Sequence, residues 1–254
     1  MVSNDRQVLG IDFGGSSIKA AVVDTGAGKL VSGIERRDTA SDTSPEHARE
    51  YFADIVRTLN WSGPIGLGYP GVVKRGLCLS AANIAKSWLQ VNLYDILGDL
   101  TSEQTDAIND ADAAGLAELQ FGAAQSEAGN DGRVVLMLTL GTGIGSAFFY
   151  RGRLFPNTEF GHIELMGGDA EKYAAASVRV RENLDWQPWA ERLDRYLAEM
   201  EKLISPDLIV LGGGISENYD RYKAYLTTSA EIRVAQLGNE AGILGAALAV
   251  YHDI

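Results

Sequence analysis

VLGIDFGGSSIKAAVVD, residues 8–24, and VLMLTLGTGIGSAFFYRGRL, residues 135–154, share one pattern. In each, a short apolar run meets a glycine turn and a second β-prone run follows, which predicts strand, turn, strand. The first copy has runs at Val8–Asp12 and Ile18–Val23, a turn at residues 25–28, and a third run at Lys29–Ile34. The second has a turn at residues 141–145, a run at Ala147–Tyr150, and a turn at residues 151–153. Asp12-Phe13-Gly14-Gly15 lies over Thr139-Leu140-Gly141-Thr142 at an offset of 127, half the chain length. Identity between the copies is thin, and two glycine-rich hairpins can match by chance. The offset nevertheless points to a duplicated architecture of two similar lobes, and an internal repeat outweighs local propensity.

Helix and strand alternate between and after these hairpins. Pro45–Leu59 has helical spacing of Ala48, Tyr51, Phe52, Ile55, Val56 and Leu59, with Thr43 or Ser44 as cap. Ile65–Tyr69 reads as a strand, Val91–Leu97 as a helix, Thr105–Asn109 as a strand, and Ala111–Phe121 as a helix closed by Gly122. Trp189–Ile204 is an amphipathic helix leading through Pro206 into the strand Leu208–Leu211 and then Gly212-Gly213-Gly214. A last helix at Ala241–Tyr251 is rich in small residues and suits close packing on a sheet. The expectation is an α/β protein with antiparallel hairpins at its sheet edges and a cleft between the lobes.

The chain has 254 residues, of which 46% are hydrophobic and 22% charged, an ordinary globular composition. With 22 Lys and Arg against 34 Asp and Glu, its net charge of −12 argues against a nucleic-acid partner. One cysteine, Cys78, permits neither an internal disulfide nor a cysteine cage for zinc. No signal segment opens the sequence and no apolar run reaches the roughly 20 residues of a membrane span. The chain reads as soluble and cytoplasmic, without a membrane partner.

Three glycine turns each follow an apolar strand: residues 12–17 (DFGGSS), 139–145 (TLGTGIG) and 212–214 (GGG). Glycine lets backbone approach a phosphate, and Ser, Thr and main-chain N–H groups donate to its oxygens. A tight turn needs glycine anyway, so one such loop says little. Three at the carboxyl ends of strands favour phosphate binding by Gly14, Gly15, Ser16, Ser17, Thr139, Gly141, Thr142, Gly143, Gly213 and Gly214. No complete dinucleotide or P-loop fingerprint is present. Asp12, at a strand end, reads either as a carboxylate that orients Mg²⁺, directly or through water, or as a turn-forming Asp. Lys19 reads as a cation near it or as a solvated edge-strand lysine.

Asn109-Asp110-Ala111-Asp112 runs from a strand end into a helix start. Asp112 reads as a helix cap. Asp110 sits where a base is expected, with Asn109 beside it to bind a hydroxyl; phosphoryl transfer to an alcohol needs such a carboxylate. Residues 156–164 (PNTEFGHIE) pack Glu159, His162 and Glu164 together, a set suited to sugar hydroxyls, which both donate and accept. His47 and His252 have no ligand spacing to His162, so zinc is not expected. Asn83, Lys86 and Trp88 form a further polar-aromatic cluster, with Trp88 read as core.

These motifs, GIDFGGSSIKAAVVD, YPGVV, SAANIAKSW, INDADAAGLAE, TLGTGIGSA, PNTEFGHIE, DLIVLGGGIS and NEAGILGAA, cover essentially the whole chain. It resembles the ROK sugar-kinase family. SAANIAKSW, and PNTEFGHIE without a following cysteine cluster, resemble the polyphosphate-using branch. The resemblance implies a duplicated, two-lobed actin-like or ribonuclease H-like ATPase fold with an interlobe cleft. It implies a small lobe of residues 1–108 rejoined by 241–254, and a large lobe of 109–240. It implies transfer of a phosphoryl group from inorganic polyphosphate, and also ATP, to the 6-hydroxyl of glucose. Asp110 is then the catalytic base, and Asn83, Asn109, Glu159, His162 and Glu164 bind glucose. Residues 12–17 and 139–145 are the phosphate loops, and 212–214 the adenosine-side loop.

A Mg²⁺ requirement and a homodimer are implied as well. Many relatives carry a zinc loop after E-x-G-H; here Met166-Gly167-Gly168-Asp169 stands there, so zinc is not carried over. Ser16-Ser17 departs from the branch's usual Thr or Ser followed by Gly. The cations considered for a polyphosphate track are Lys74, Arg75, Lys86, Arg151, Arg153, Lys172, Arg179 and Arg181. The rival readings are an ATP-only hexokinase of this family and a non-catalytic sugar-binding member.

Overall fold

The computed structural model describes residues 6–40, 42–82, 84–127 and 132–251. Two compact units divide the chain: Met1–Ala117 with Asn239–Ile254, and Glu118–Gly238.

The first unit opens with β1 (Gln7–Phe13) and β2 (Ser17–Asp24), an antiparallel hairpin in which Asp12 stands opposite Lys19. β3 (Lys29–Leu30) and β4 (Glu35–Asp38) both pair with β2. The run expected as one strand over Lys29–Ile34 therefore breaks after Leu30. Val31 and Ile34 are 51% and 44% exposed, so their apolar character buries nothing. Ser32 Oγ accepts from Val22 N at 2.9 Å, so a side chain meets the strand donor as the chain leaves and returns along β2.

Helix α1 (Pro45–Thr58) starts at Ser44, with Pro45 in its first turn where a missing N–H costs nothing. β5 (Ile65–Tyr69), the hairpin β6 (Val73–Lys74) and β7 (Leu77–Cys78), α2 (Leu93–Gly98), β8 (Thr105–Asn109) and α3 (Asp110–Phe121) follow. The sheet order is β3-β2-β1-β5-β8, with β5 parallel to β1 and β8 parallel to β5.

Two contacts fix this sheet. On one side, Trp88 is fully buried, as expected of a core residue. Its ring centre lies 5.1 Å from that of Phe13 and 5.6 Å from that of Tyr69, and its indole N–H donates to Thr43 O at 2.9 Å. The closing helix, Ala241–Ala249, packs against the sheet through glycine. A Cβ on Gly10 of β1 would lie 2.1 Å from Ile243 O, and one on Gly66 of β5 1.8 Å from Ala246 O. Helix and sheet backbones touch directly, and this is what the small residues of the helix serve.

In the second unit β9 (Val134–Leu140), β10 (Ile144–Tyr150) and β11 (Arg153–Phe155) form the hairpin pattern again. The small hairpin β12 (Glu164–Leu165) and β13 (Gly168–Asp169), then α4 (Glu171–Ala174), α5 (Ala176–Arg181) and α6 (Trp186–Ile204), precede β14 (Leu208–Gly212) and β15 (Glu231–Val234). The order β11-β10-β9-β14-β15 repeats the first sheet's order and strand senses. β9 begins and ends 127 residues after β1, and β10 begins 127 after β2. The fold is α/β with two mixed sheets of duplicated topology.

Helix α6 starts three residues before the expected Trp189, since Pro188 falls in its first turn and the helix tolerates it there. It ends at Ser205 (φ 45°), just ahead of Pro206. Among the described residues, no helix is long and apolar enough to cross a membrane.

Candidate active site

In the first unit, Asp12 is the penultimate residue of β1, and its carboxylate lies 3.8 Å from Lys19 Nζ. Lys19 is thus half-buried beside a carboxylate rather than a solvated edge lysine, because antiparallel register puts the two side chains on one face. The closing helix covers Asp12 from the other side, where a Cβ on Gly242 would meet Asp12 Cγ at 2.6 Å. Burial raises the Asp12 pKa above the ordinary carboxylate value, and Lys19 only partly opposes it.

A raised pKa means the folded state holds the proton more tightly than the unfolded chain. Asp12's contribution to stability is therefore complete below the unfolded pKa and is lost as pH rises through the folded one. Thermal melts of the wild type and Asp12→Asn from pH 3 to 7 check this. The wild type should lose ground to the variant as pH rises, and a pH-independent difference would contradict the assignment.

The turn after β1 is closed by Gly14 N donating to Ser17 O at 2.9 Å. Thr39, just past β4, braces it: its N–H donates to Ser16 O at 3.1 Å and its hydroxyl to Gly14 O at 3.3 Å. Ser16 is exposed at the tip, whereas Ser17 is the first residue of β2 and is buried. Gly14 and Gly15 are half-buried.

Asn109 ends β8, and its side chain caps α3. Oδ1 accepts from Ala111 N at 2.8 Å and Asp112 N at 3.0 Å, while Nδ2 donates to Gly71 O at 3.2 Å. Asn109 thus caps the helix, with Asp112 as one of its backbone donors, and the Asp112 side chain is buried. Asp110 begins the helix, half-buried, with Oδ1 accepting from Ala111 N at 2.8 Å. It is held by rigid elements on both sides.

In the second unit, Thr139 lies within β9, and the turn after it is closed by Gly141 N donating to Gly143 O at 3.0 Å. Ser177 at the start of α5 pins this turn: its N–H donates to Gly141 O at 3.0 Å and its hydroxyl to Thr142 O at 2.6 Å. The three loops do not need glycine for the same reason. Gly213 (φ 82°) has a left-handed backbone, and a Cβ there would strike Leu140 O at 2.3 Å. A Cβ on Gly143 would strike Glu171 Oε2 at 2.2 Å, but among the described residues nothing lies within 4 Å of a Cβ on Gly141 or Gly214. At those two exposed positions no protein contact demands glycine, which is what close approach of a ligand to the backbone requires.

The segment after β11 is held by reciprocal bonds: Ser146 Oγ donates to Thr158 O at 2.7 Å and Thr158 Oγ1 to Ser146 O at 3.0 Å. Gly161 lies against β10, where a Cβ would be 2.2 Å from Ile144 O. This clamp sets Glu159 and His162 side by side, with Glu159 Oε2 3.8 Å from His162 Nε2. The other ring nitrogen, Nδ1, lies 3.9 Å from Asp169 Oδ2 and 4.0 Å from Glu171 Oε1. Burial raises the Glu159 pKa; His162 lowers it and the like charge of Glu171 adds to the rise. Glu164 is exposed on β12 and forms no ion pair among the described residues. Asn83 lies outside the described residues.

Glu171 and Asp169 escaped the sequence reading. The signal was slight, two carboxylates around a short hairpin and helix start in GDAEKYA. Only folding of that hairpin beneath His162 brings Glu171 to both the imidazole and the Gly143 turn, where its Oε2 accepts from Ile144 N at 3.3 Å. The second unit can thus offer acceptors and an imidazole to a polyol, and exposed backbone to a phosphate. The first offers a capped Asp110 and a second glycine turn.

The ROK family model matches residues 8–176. A polyphosphate glucokinase of Mycobacterium tuberculosis is 42% identical over 252 residues, spanning 99% of this chain and 94% of that protein. The crystal structure of an inorganic polyphosphate/ATP-glucomannokinase from Arthrobacter sp. strain KM is 42% identical, with a TM-score of 0.89, covering 96% of this chain and 98% of its own. A ROK family glucokinase from Streptomyces griseus, solved with glucose and AMPPNP, shares the fold at 24% identity with a TM-score of 0.81, covering 97% and 100%.

Proposed function

This chain belongs to the ROK family, and from that premise we propose that it is a glucokinase transferring a phosphoryl group from inorganic polyphosphate to the 6-hydroxyl of glucose. The observation that carries the reading is the 42% identity to a polyphosphate glucokinase across 99% of the chain. The likeness to a polyphosphate/ATP-glucomannokinase favours ATP as a second donor and mannose as a second acceptor.

In this reading Asp110 accepts the proton of the attacking hydroxyl. Glu159 and His162, with Asn109, Glu164 and Asn83, orient the sugar, and Glu171 adds a third carboxylate beside the imidazole. The turns at Gly14–Ser17 and Thr139–Gly143 hold the donor's phosphates, and Gly213-Gly214 takes the adenosine side of ATP. The protein acts as a homodimer in the cytoplasm.

When bound, Mg²⁺ offsets charge on the donor's phosphates. Among the described residues, no group of three or more His, Cys, Asp or Glu is placed to hold a metal ion. Asp12 presents a single carboxylate whose cation neighbour stands off at 3.8 Å. That donor set fits an ion that keeps its waters and leans on phosphate oxygens, with Asp12 as its protein anchor.

Glucose 6-phosphate formation with Mg²⁺, assayed with polyphosphate and ATP in separate reactions, tests the function. Turnover with polyphosphate is expected. Turnover with ATP alone would make this an ATP-only hexokinase, and none with either would leave a sugar-binding protein. A second expectation follows from the open space at Gly141. Gly141→Val should melt within about 2 °C of the wild type, since a surface change of this kind costs under ~0.5 kcal/mol. Its apparent donor KM should nevertheless rise by at least about tenfold, the loss of one good contact. A donor KM unchanged by the variant would remove this loop from the donor site.

A further inference from the structure

Two arginines of the second unit converge on one tryptophan. The guanidinium carbon of Arg179, in α5, lies 3.8 Å from the ring centre of Trp186, and that of Arg221 lies 4.8 Å from it. Two positive charges gathered on one ring are closer together than the roughly 10 Å over which 0.1 M salt screens them. Among the described residues neither forms an ion pair, in a chain whose net charge is −12. The carboxylates next to them in sequence are already engaged: Glu182 by Arg181 at 3.3 Å and Arg192 at 2.8 Å, and Asp220 by Lys223. Among the described residues, Arg179 Nε and Trp186 Nε1 are buried donors without an acceptor. Cations held together without an anion, beside unsatisfied N–H groups, are the complement of a polyanion.

The connections to the phosphate loops are short, one made by hydrogen bonds and the other by the chain itself. Helix α5, which carries Arg179, starts at the turn where Ser177 bonds to Gly141 O and Thr142 O. The helical segment Gly214–Arg221 starts at the Gly213 turn and ends at the second arginine. The helix pinned to one glycine turn and the segment that continues from another therefore meet at Trp186.

The aromatic ring itself is not offered to a base. Arg179 lies over it, Tyr222 stacks on it in nearly parallel planes (10°, centres 6.0 Å apart), and Trp189 packs edgewise at 6.2 Å. It serves as a seat that orients guanidinium groups, which points to a chain of phosphates rather than a nucleobase. Three of the other basic residues considered for this task are engaged elsewhere, Lys172 with Asp169 at 2.8 Å, Arg181 with Glu182 and Lys86 with Ala81 O, while Lys74, Arg75, Arg151 and Arg153 do not gather on Trp186.

We propose that Arg179 and Arg221, seated on Trp186, anchor the distal phosphates of a polyphosphate donor whose terminal phosphates lie on the glycine loops. The anchor rests on the polyphosphate reading of the function. It makes long-chain donors bind more tightly than the terminal phosphates alone would allow.

The test is direct binding of long-chain polyphosphate to the full protein, without glucose, followed by tryptophan fluorescence at several salt concentrations. Arg179→Gln/Arg221→Gln should weaken binding by at least about tenfold. It should also reduce the slope of log affinity against log salt by roughly one to two, as expected when two phosphate contacts are lost. Trp186→Phe should remove most of the fluorescence response while polyphosphate still binds, as measured by displacement of the polymer from an anion-exchange resin. A matched circular dichroism spectrum and melt for Arg179→Lys/Arg221→Lys, with partial recovery of affinity, separates a charge role from a packing role.

Unchanged affinity and salt slope in the double Gln variant would overturn the proposal. So would equal weakening of ATP and long-chain polyphosphate. If the wild type binds polyphosphate in this way yet makes no glucose 6-phosphate from it, the donor assignment falls and the anchor stands.

Discussion

With Asp110 as the proposed base, Asp110→Asn should lower kcat with every phosphate donor by about 10²- to 10⁴-fold, the contribution of a positioned general base. The fold survives the change. Asn109 supplies the helix cap, and an Asn at 110 keeps an amide oxygen where Asp110 Oδ1 now accepts from Ala111 N at 2.8 Å. The variant loses the carboxylate that would take the proton and keeps the bond to Ala111 N. Glucose binding measured by calorimetry should stay within about threefold of the wild type, under ~1 kcal/mol. A coupled assay of glucose 6-phosphate formation reads kcat. Turnover within tenfold of the wild type would remove Asp110 as the base, and loss of glucose binding in parallel would make it a binding residue instead.

Gly66→Ala removes about 3 kcal/mol or more of stability, the upper range for an overpacked core. The added Cβ would stand 1.8 Å from Ala246 O, and neither side has a flexible neighbour to yield. One is the β5 backbone, paired to β1 and β8; the other is the backbone of a buried helix. At about 2–4 °C per kcal/mol for a domain of this size, the melting temperature should fall by roughly 6–12 °C. Gly33→Ala is the matched control, since among the described residues nothing lies within 4 Å of a Cβ there. A melt for Gly66→Ala within 2 °C of that control would mean that helix and sheet do not touch as described.

Both predictions draw on features of different legibility. Asp110 was visible because strand-end carboxylates at a helix start are a local pattern, written in consecutive residues. The helix–sheet contact was half visible: the small residues of the closing helix announced close packing, but not which sheet glycines would meet them. Lys19 could not be read alone. Its role depends on strand register, which sets it across from Asp12. The Lys29–Ile34 run misled because apolar residues mark a strand only where something covers them, and here Val31 and Ile34 face solvent.

Glu171 and Arg221 stayed hidden because nothing local marks them. Glu171 reaches His162 and the Gly143 turn through a hairpin, and Arg221 reaches Trp186 across separate segments of chain.

By itself, the sequence determined the duplicated α/β plan. A run of apolar residues ending in glycine is a short-range signal, and repeating it 127 residues later imposes the same strand order on both halves. It also determined the positions of the glycine loops and of Asp110, because backbone freedom and a strand-end carboxylate are properties of adjacent residues. Only the tertiary structure decided which glycines serve packing and which leave the backbone open, which cation neighbours Asp12, and which arginines gather on Trp186. Those are contacts between residues far apart in the chain, and their energies depend on distance and burial, which no local pattern encodes.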